Sequence, residues 1–371
     1  IPKTIKFATQ NQDSYALLYS RRVVEVINNL SLPRYGLGKY ILPKPEKRPT
    51  DPEKKVLDSL SRAGKRLMGF CRTNLFKRLE SSGIAFLKSL DRHILRNYIF
   101  LYAIEHNLEI PIGSQDASLL DTQAVDEDSD SLLASNGDLE AEGNSADVES
   151  QIPRDTSLGQ QGSIAQAEES YEQRAKQVYE LYQQKYKRRF SWIRPNLFKP
   201  ELRTELLADA QVLEAVLDLC PNWSSKADQK LQALVKLLTI DHPRQKVLVF
   251  SQFADTAHYV EQELCRFGVE EVALVTGQTE KPTELVYRFS PQSNRQQYHH
   301  AQKANLSPIR VLIATDVLSE GQNLQDCNII VNYDLPWALI RLIQRAGRID
   351  RIGQQSAQIL CYSFLPAEGV E

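Results

Sequence analysis

Four arginines fall close together near the C-terminal end of the chain: Arg341, Arg345, Arg348 and Arg351, with Gln344 among them. Between Ala338 and Gln354 the single acid is Asp350. A surface held by salt bridges would need more carboxylates than that. A guanidinium donates two parallel N–H bonds to paired oxygens, which suits a phosphate. On one continuous helix, Gln344, Arg348 and Arg351 at i, i+4 and i+7 would share a face. Such a face could stabilise negative charge on a phosphoryl group.

The elements that must position this face are legible around it. Val311–Ala314 and Ile329–Val331 are unbroken apolar runs, the pattern of strands covered on both sides. Further upstream, Lys226–Leu238 reads as a helix and Val247–Phe250 as a strand ending at Ser251-Gln252. His258–Phe267 reads as a second helix, Val272–Val275 as a strand ending at Thr276-Gly277, and Ile359–Tyr362 as the last strand. Alternation of this kind implies right-handed crossovers and a parallel sheet with helices on both faces. Open α/β sheets bind ligands beyond the C-terminal ends of their strands. Polar residues follow Val311–Ala314 and Ile329–Val331 at those ends.

With 371 residues and 42% hydrophobic content, the chain can fill two ordinary cores. No apolar run approaches the length of a membrane span, and no signal peptide is present. The chain starts at Ile1-Pro2-Lys3 without a Met, which reads as a piece of a longer protein. Five scattered cysteines with no CxxC or Cys/His spacing point to reduced thiols in a cytoplasmic protein and to no metal site. Net charge is −2 but unevenly divided. Residues 1–110 hold 20 Lys and Arg against 10 Asp and Glu, while residues 111–170 hold 1 against 14. The overall charge therefore says little about nucleic acid, and its division says more.

Four segments follow. Residues 1–112 are a basic connector and helical region. Prolines at 33, 43, 45, 49 and 52 suggest an irregular connector over 33–52, and Asn74–Ile104 has helical periodicity. There, Lys88, Arg92 and Arg96 lie off the apolar stripe, either as a solubilising face or as a phosphate-facing one. Residues 113–168 are an acidic insertion whose composition cannot offset its ordering entropy, so disorder is expected. Residues 169–223 are a helical subdomain. Its stripe of Tyr171, Val178, Tyr179, Tyr182 and Tyr186 reads as core, while Lys185 to Arg189 among Phe190, Trp192 and Phe198 could form a stacking platform. Residues 224–371 are the α/β domain.

Within that domain the sequence resembles the second RecA-like lobe of superfamily-two helicases, and more narrowly the Swi/Snf-type DNA-translocating ATPases. Lys246–Phe253 resembles the family's motif IV. Ala314-Thr315-Asp316 through Gly321-Gln322-Asn323-Leu324 resembles motif V, and Gln344–Gln354 resembles motif VI with its Arg-Ile-Gly-Gln ending. The run Arg72–Arg96 resembles a helical segment of bacterial members. The resemblance implies an ATP-hydrolysing translocase on double-stranded DNA. In it Arg348 and Arg351 would reach the γ-phosphate of ATP, and Gln344 would orient the helix or contact nucleotide. Gly321, Asn323 and Asp316 would meet the nucleotide. Ser251, Gln252 and Thr315 would hold DNA phosphates. The departure is Ser319-Glu320-Gly321 where many members carry paired glycines.

A Walker A loop is missing, Gly64-Lys65-Arg66 lacking both its first glycine and its hydroxyl. Asp126-Glu127-Asp128 resembles a DExx box only superficially, inside the acidic stretch. ATP and its Mg²⁺ would then sit mainly on an N-terminal RecA-like lobe. The competing reading is a non-catalytic module that binds DNA or RNA polymerase under control of the acidic insertion. A Rossmann enzyme is disfavoured because no G-x-G-x-x-G follows a strand.

Overall fold

The computed structural model describes residues 1–5, 17–113, 170–220, 223–295, 307–316, 322–336 and 338–365, the side chains of 61–66 excepted. The acidic insertion lies outside them. Strand β1 (Pro2–Ile5) leads into helix α1 (Arg21–Asn29) and a 3₁₀ segment at Pro33–Tyr40. Helices α2 (Asp51–Ser81) and α3 (Gly83–Glu105) follow, then β2 (Ile110–Ile112), α4 (Tyr171–Lys185), β3 (Ser191–Ile193) and α5 (Glu201–Leu217). The α/β part runs α6 (Gln229–Lys236), β4 (Val247–Phe250), α7 (Ala254–Arg266), β5 (Val272–Val275) and α8 (Pro282–Phe289). It ends with β6 (Val311–Ala314), β7 (Ile329–Asn332), α9 (Ile340–Ala346) and β8 (Leu360–Phe364).

Six strands form one sheet in the order β1-β8-β7-β4-β6-β5, every pairing parallel. Alternation along each strand divides the core. Val247, Val249, Val311, Ile313, Ile329 and Val331 pack under α6 and α7. Leu248, Phe250, Leu312, Ala314 and Ile330 pack under α8. The expected RecA-like α/β architecture is present, with helices on both faces. One strand was not foreseen. Pro2–Ile5 pairs with β8 at the sheet edge although three of its four residues are exposed, so its sequence carries no apolar run.

The N-terminal region is more regular than its prolines suggest. The expected connector ends at Thr50, which caps α2. Thr50 and Glu53 form a reciprocal capping box, with Pro52 in the first turn, where its missing N–H costs nothing. Arg194 grips Glu53 at 2.7 and 2.8 Å, and with Thr50 holds the Glu53 carboxyl down to about 2. Tyr179 and Tyr182 lie in the core with Phe190 and Phe198, so the aromatic stripe is packing and these rings are no stacking platform. Lys185, Lys187, Arg188 and Arg189 are exposed beside it.

Candidate phosphate-facing site

The residues that follow β4, β6 and β7 converge at the C-terminal edge of the sheet, beside α9. Arg345 is the centre of this edge and is only 2% exposed. Its Nε and Nη2 donate to the Asp316 carboxylate at 2.7 and 3.1 Å. Its Nη1 donates to Asn332 Oδ1 at 3.1 Å and to the Asp334 carbonyl at 3.3 Å. The guanidinium also lies over the Phe250 ring. Arg341 adds a longer, more exposed contact to Asp316 at 3.3 Å. Two of the four cations thus share an acid that the sequence places 25 and 29 residues away. The local charge count missed it because Asp316 arrives from another strand.

The other two arginines differ. Arg351 donates to the carbonyls of Gly347 and Gln322, both at 3.2 Å, and so fastens the turn after α9 to the segment before β7. Arg348 is half-buried; its backbone N–H donates to the Arg345 carbonyl, and its side chain has no hydrogen-bond or ion-pair partner among the described residues. Gln344 is exposed. The expected single helical face does not exist. Helix α9 has seven residues and stops at Ala346, so Arg348 and Arg351 project from turns. Ile349, at 0% exposure, is drawn back into the core under α8. Gln354 pins that return by donating to the carbonyls of Cys327 and Ile349.

The residues assigned to DNA phosphates lie inward. Ser251 is 1% exposed, and its hydroxyl donates to Asp334 Oδ2 at 2.6 Å. The Gln252 backbone N–H donates to Asp334 Oδ1 at 2.8 Å, and its side-chain amide donates to the Leu335 carbonyl. Thr315 is buried, its backbone N–H donating to Val275. Asp316, assigned to nucleotide, is instead the partner of Arg345. Asn323 is exposed, and among the described residues only its carbonyl is engaged, by Asn294. Gly321, Ser319 and Glu320 lie outside the described residues. Asp334 was not singled out in the sequence; a polar residue just past a buried strand was the signal available.

The cations of the N-terminal region are also placed differently from either expected face. Arg92 and Arg96 are each 1% exposed. Arg92 and Arg78 converge on Asp255 in the first turn of α7, at 2.7 and 3.3 Å, with Lys88 at 3.9 Å. Burial pushes the Asp255 carboxyl up, but the charges of Arg92, Arg78 and Lys88 outweigh it and hold the carboxyl below its usual range. Among the described residues no group of His, Cys, Asp and Glu is arranged to hold a metal, and no helix is long and apolar enough to cross a membrane.

Residues 229–353 match the helicase conserved C-terminal domain, a span that begins at α6 and ends just past Arg351. The chain is 31% identical over 147 residues to the ATP-dependent helicase YqhH of Bacillus subtilis (strain 168), covering 40% of this chain and 23% of that protein. It is 25% identical over 142 residues to the putative DEAD-box RNA helicase HEL64 of Trypanosoma brucei brucei, covering 38% and 22%. It is 33% identical over 130 residues to the RNA polymerase-associated protein RapA of Proteus mirabilis (strain HI4320), covering 34% and 12%. The match therefore spans under a quarter of each relative's length.

Proposed function

Because residues 229–353 match the helicase conserved C-terminal domain, we propose that this chain supplies the C-terminal lobe of a Swi/Snf-like, DNA-dependent ATPase. The lobe closes on a first RecA-like lobe that holds Mg²⁺-ATP and moves along double-stranded DNA. The observation that carries this reading is the contrast among the four arginines. Arg341 and Arg345 are held by Asp316 and Arg351 by backbone carbonyls, while the Arg348 side chain has no partner among the described residues.

ATP supplies the phosphoryl group whose transfer releases energy. Arg348 donates to its γ-phosphate oxygens as negative charge shifts during transfer. Arg345 and Asp316 hold the end of β6 against α9, and Arg351 holds the segment at Gln322. Gln344 and Asn323, both exposed, are the polar side chains offered to the nucleotide, with Gly321 beside them in sequence. Ser251, Gln252 and Thr315 shape the strand-end loops that face DNA, because their hydroxyl, amide or backbone donors are already engaged inside the lobe.

The test is Arg348→Ala in the intact protein. We expect turnover with duplex DNA to fall roughly 10³-fold while ATP affinity changes little, as for an arginine that acts only in the transition state. Undiminished turnover sinks the assignment. Parallel assays with duplex DNA and single-stranded RNA separate the Swi/Snf-like reading from a DEAD-box-like one. Stimulation by RNA alone would reject the DNA reading.

A further inference from the structure

Between α2 and α3 the chain breaks at Ser82, whose φ of −158° and ψ of 147° are extended. The break is wired to the arginine edge by polar contacts. Ser81 donates from Oγ to Asp334 Oδ2 at 2.6 Å. Thr256 Oγ1 lies 2.7 Å from Ser81 Oγ and 3.0 Å from Ser82 Oγ. A carboxylate only accepts, so the Ser81 proton goes to Asp334, Thr256 donates to Ser81, and Ser82 donates to Thr256. Ser82 in turn accepts from the Ala85 N–H at 3.1 Å, closing the chain on the first turn of α3. Each hydroxyl thus gives its proton in the same direction, which strengthens the series. Lys230 caps the end of α2 by donating to the carbonyls of Glu80 and Ser81 at 2.6 and 2.8 Å. Arg78 and Arg92 bind Asp255, the neighbour of Thr256.

Asp334 is the far end of this series and the near end of another. Its carboxylate takes three donors, Ser81, Ser251 and the Gln252 N–H, and its carbonyl accepts from Arg345. Arg345 lies three residues before Arg348. Apolar side chains would join two packed bodies at least as stably as buried charges and hydroxyls do. A junction made of directional contacts instead fixes one orientation.

We propose that the α2–α3 break is a positioning device for the arginine edge: Ser81 holds Asp334, Asp334 holds Arg345, and the orientation of the helical region thereby sets the placement of Arg348. Ser81 is a positioning residue that touches no substrate. The inference rests on the role given to Arg348 above. It assigns the helical region a part in ATP hydrolysis, so that a ligand displacing α2 or α3 would change turnover.

The experiment is a double-mutant cycle in the intact protein, with ATP hydrolysis followed at saturating duplex DNA. Ser81→Ala should lower kcat about tenfold with KM for ATP held within about twofold, since misplacing a catalytic group costs the transition state and not ground-state binding. In an Arg348→Lys background, which retains residual turnover, the same substitution should change kcat less than about twofold, because the step it positions is already impaired. Thr256→Val, which removes the donor to Ser81 at nearly constant shape, should repeat the pattern and serves where Ser81→Ala fails to fold. An unchanged kcat, or an equal loss in both backgrounds, overturns the proposal while leaving the role of Arg348 intact. Arg348→Lys with undiminished turnover overturns the functional reading and this inference together.

Discussion

Arg345 and Arg348 carry the same charge three residues apart, yet their surroundings differ. Arg345 is enclosed by Asp316, Asn332, Asp334 and the Phe250 ring, so four of its N–H donors are spent inside the lobe. The Arg348 side chain has no such partner among the described residues. Substituting Arg345→Ala strands part of a buried ion pair, but Asp316 retains some solvent access. The expected cost is therefore about 2–3 kcal/mol, toward the low end for broken buried pairs. Arg345→Lys should recover less than half of it, since one ammonium cannot span three acceptors in different directions. Urea unfolding at constant m-value measures both; a loss under about 0.5 kcal/mol for Arg345→Ala would remove the structural role assigned here.

At the scale of elements, the junction of α2 and α3 governs how the helical region meets the sheet. Gly83 opens α3 directly beneath Trp223, and an added Cβ would lie inside the van der Waals envelope of that ring. The ring cannot easily swing away, because its indole N–H donates to Tyr259 at 3.0 Å and Tyr259 donates to Asp228 at 2.8 Å. Gly83→Ala should therefore cost about 1–3 kcal/mol through overpacking and displace Trp223. A change in tryptophan fluorescence together with a lower unfolding midpoint would report it, and an unperturbed emission spectrum would contradict it. Helix boundaries obey the same tertiary logic. The apolar periodicity of α3 was readable, but the helical stretch expected over Asn74–Ile104 is divided at Ser82, and α2 up to Thr73 was not foreseen because its prolines mask the Thr50–Glu53 cap. The end of α9 was not readable, because Gly347 only weakens the helix while the burial of Ile349 turns the chain.

Across the whole molecule, the basic surplus of residues 1–110 is partly spent inside the fold, where the buried Arg78 and Arg92 answer Asp255 of the α/β domain. The α/β domain buries a cation in the opposite sense: Lys230 of α6 is packed against Tyr333 beneath the α2–α3 break. Burial lowers its ammonium to about 8 from an ordinary 10.5, in spite of Asp334, Asp228 and Glu80. With the folded value below the unfolded one, the folded protein releases this proton first. Between about pH 8 and 10.5 the unfolded chain binds more protons, so this group makes stability rise with pH across that window. Below pH 8 the cost of burying the charge is fully present. Relative to Lys230→Gln, the parent should gain about 2–4 kcal/mol between pH 7.5 and 10.5 by denaturant titration. Parallel pH profiles for the two proteins would refute it.

Sequence alone determined the alternation of strands and helices in the α/β domain, the unbroken apolar runs of β4, β6 and β7, and the cluster of arginines at its end. Those features rest on periodicity and composition, which are local. Tertiary structure alone decided that Asp316 neutralises Arg345, that Asp255 collects Arg78 and Arg92, that Pro2–Ile5 joins the sheet, and that Asp334 stands between Ser81 and Arg345. Each joins residues far apart in the chain, and charge complementarity shows in a sequence only when both partners lie within a few turns of one element. Of four similar arginines, only Arg348 keeps a side chain without a hydrogen-bond or ion-pair partner among the described residues.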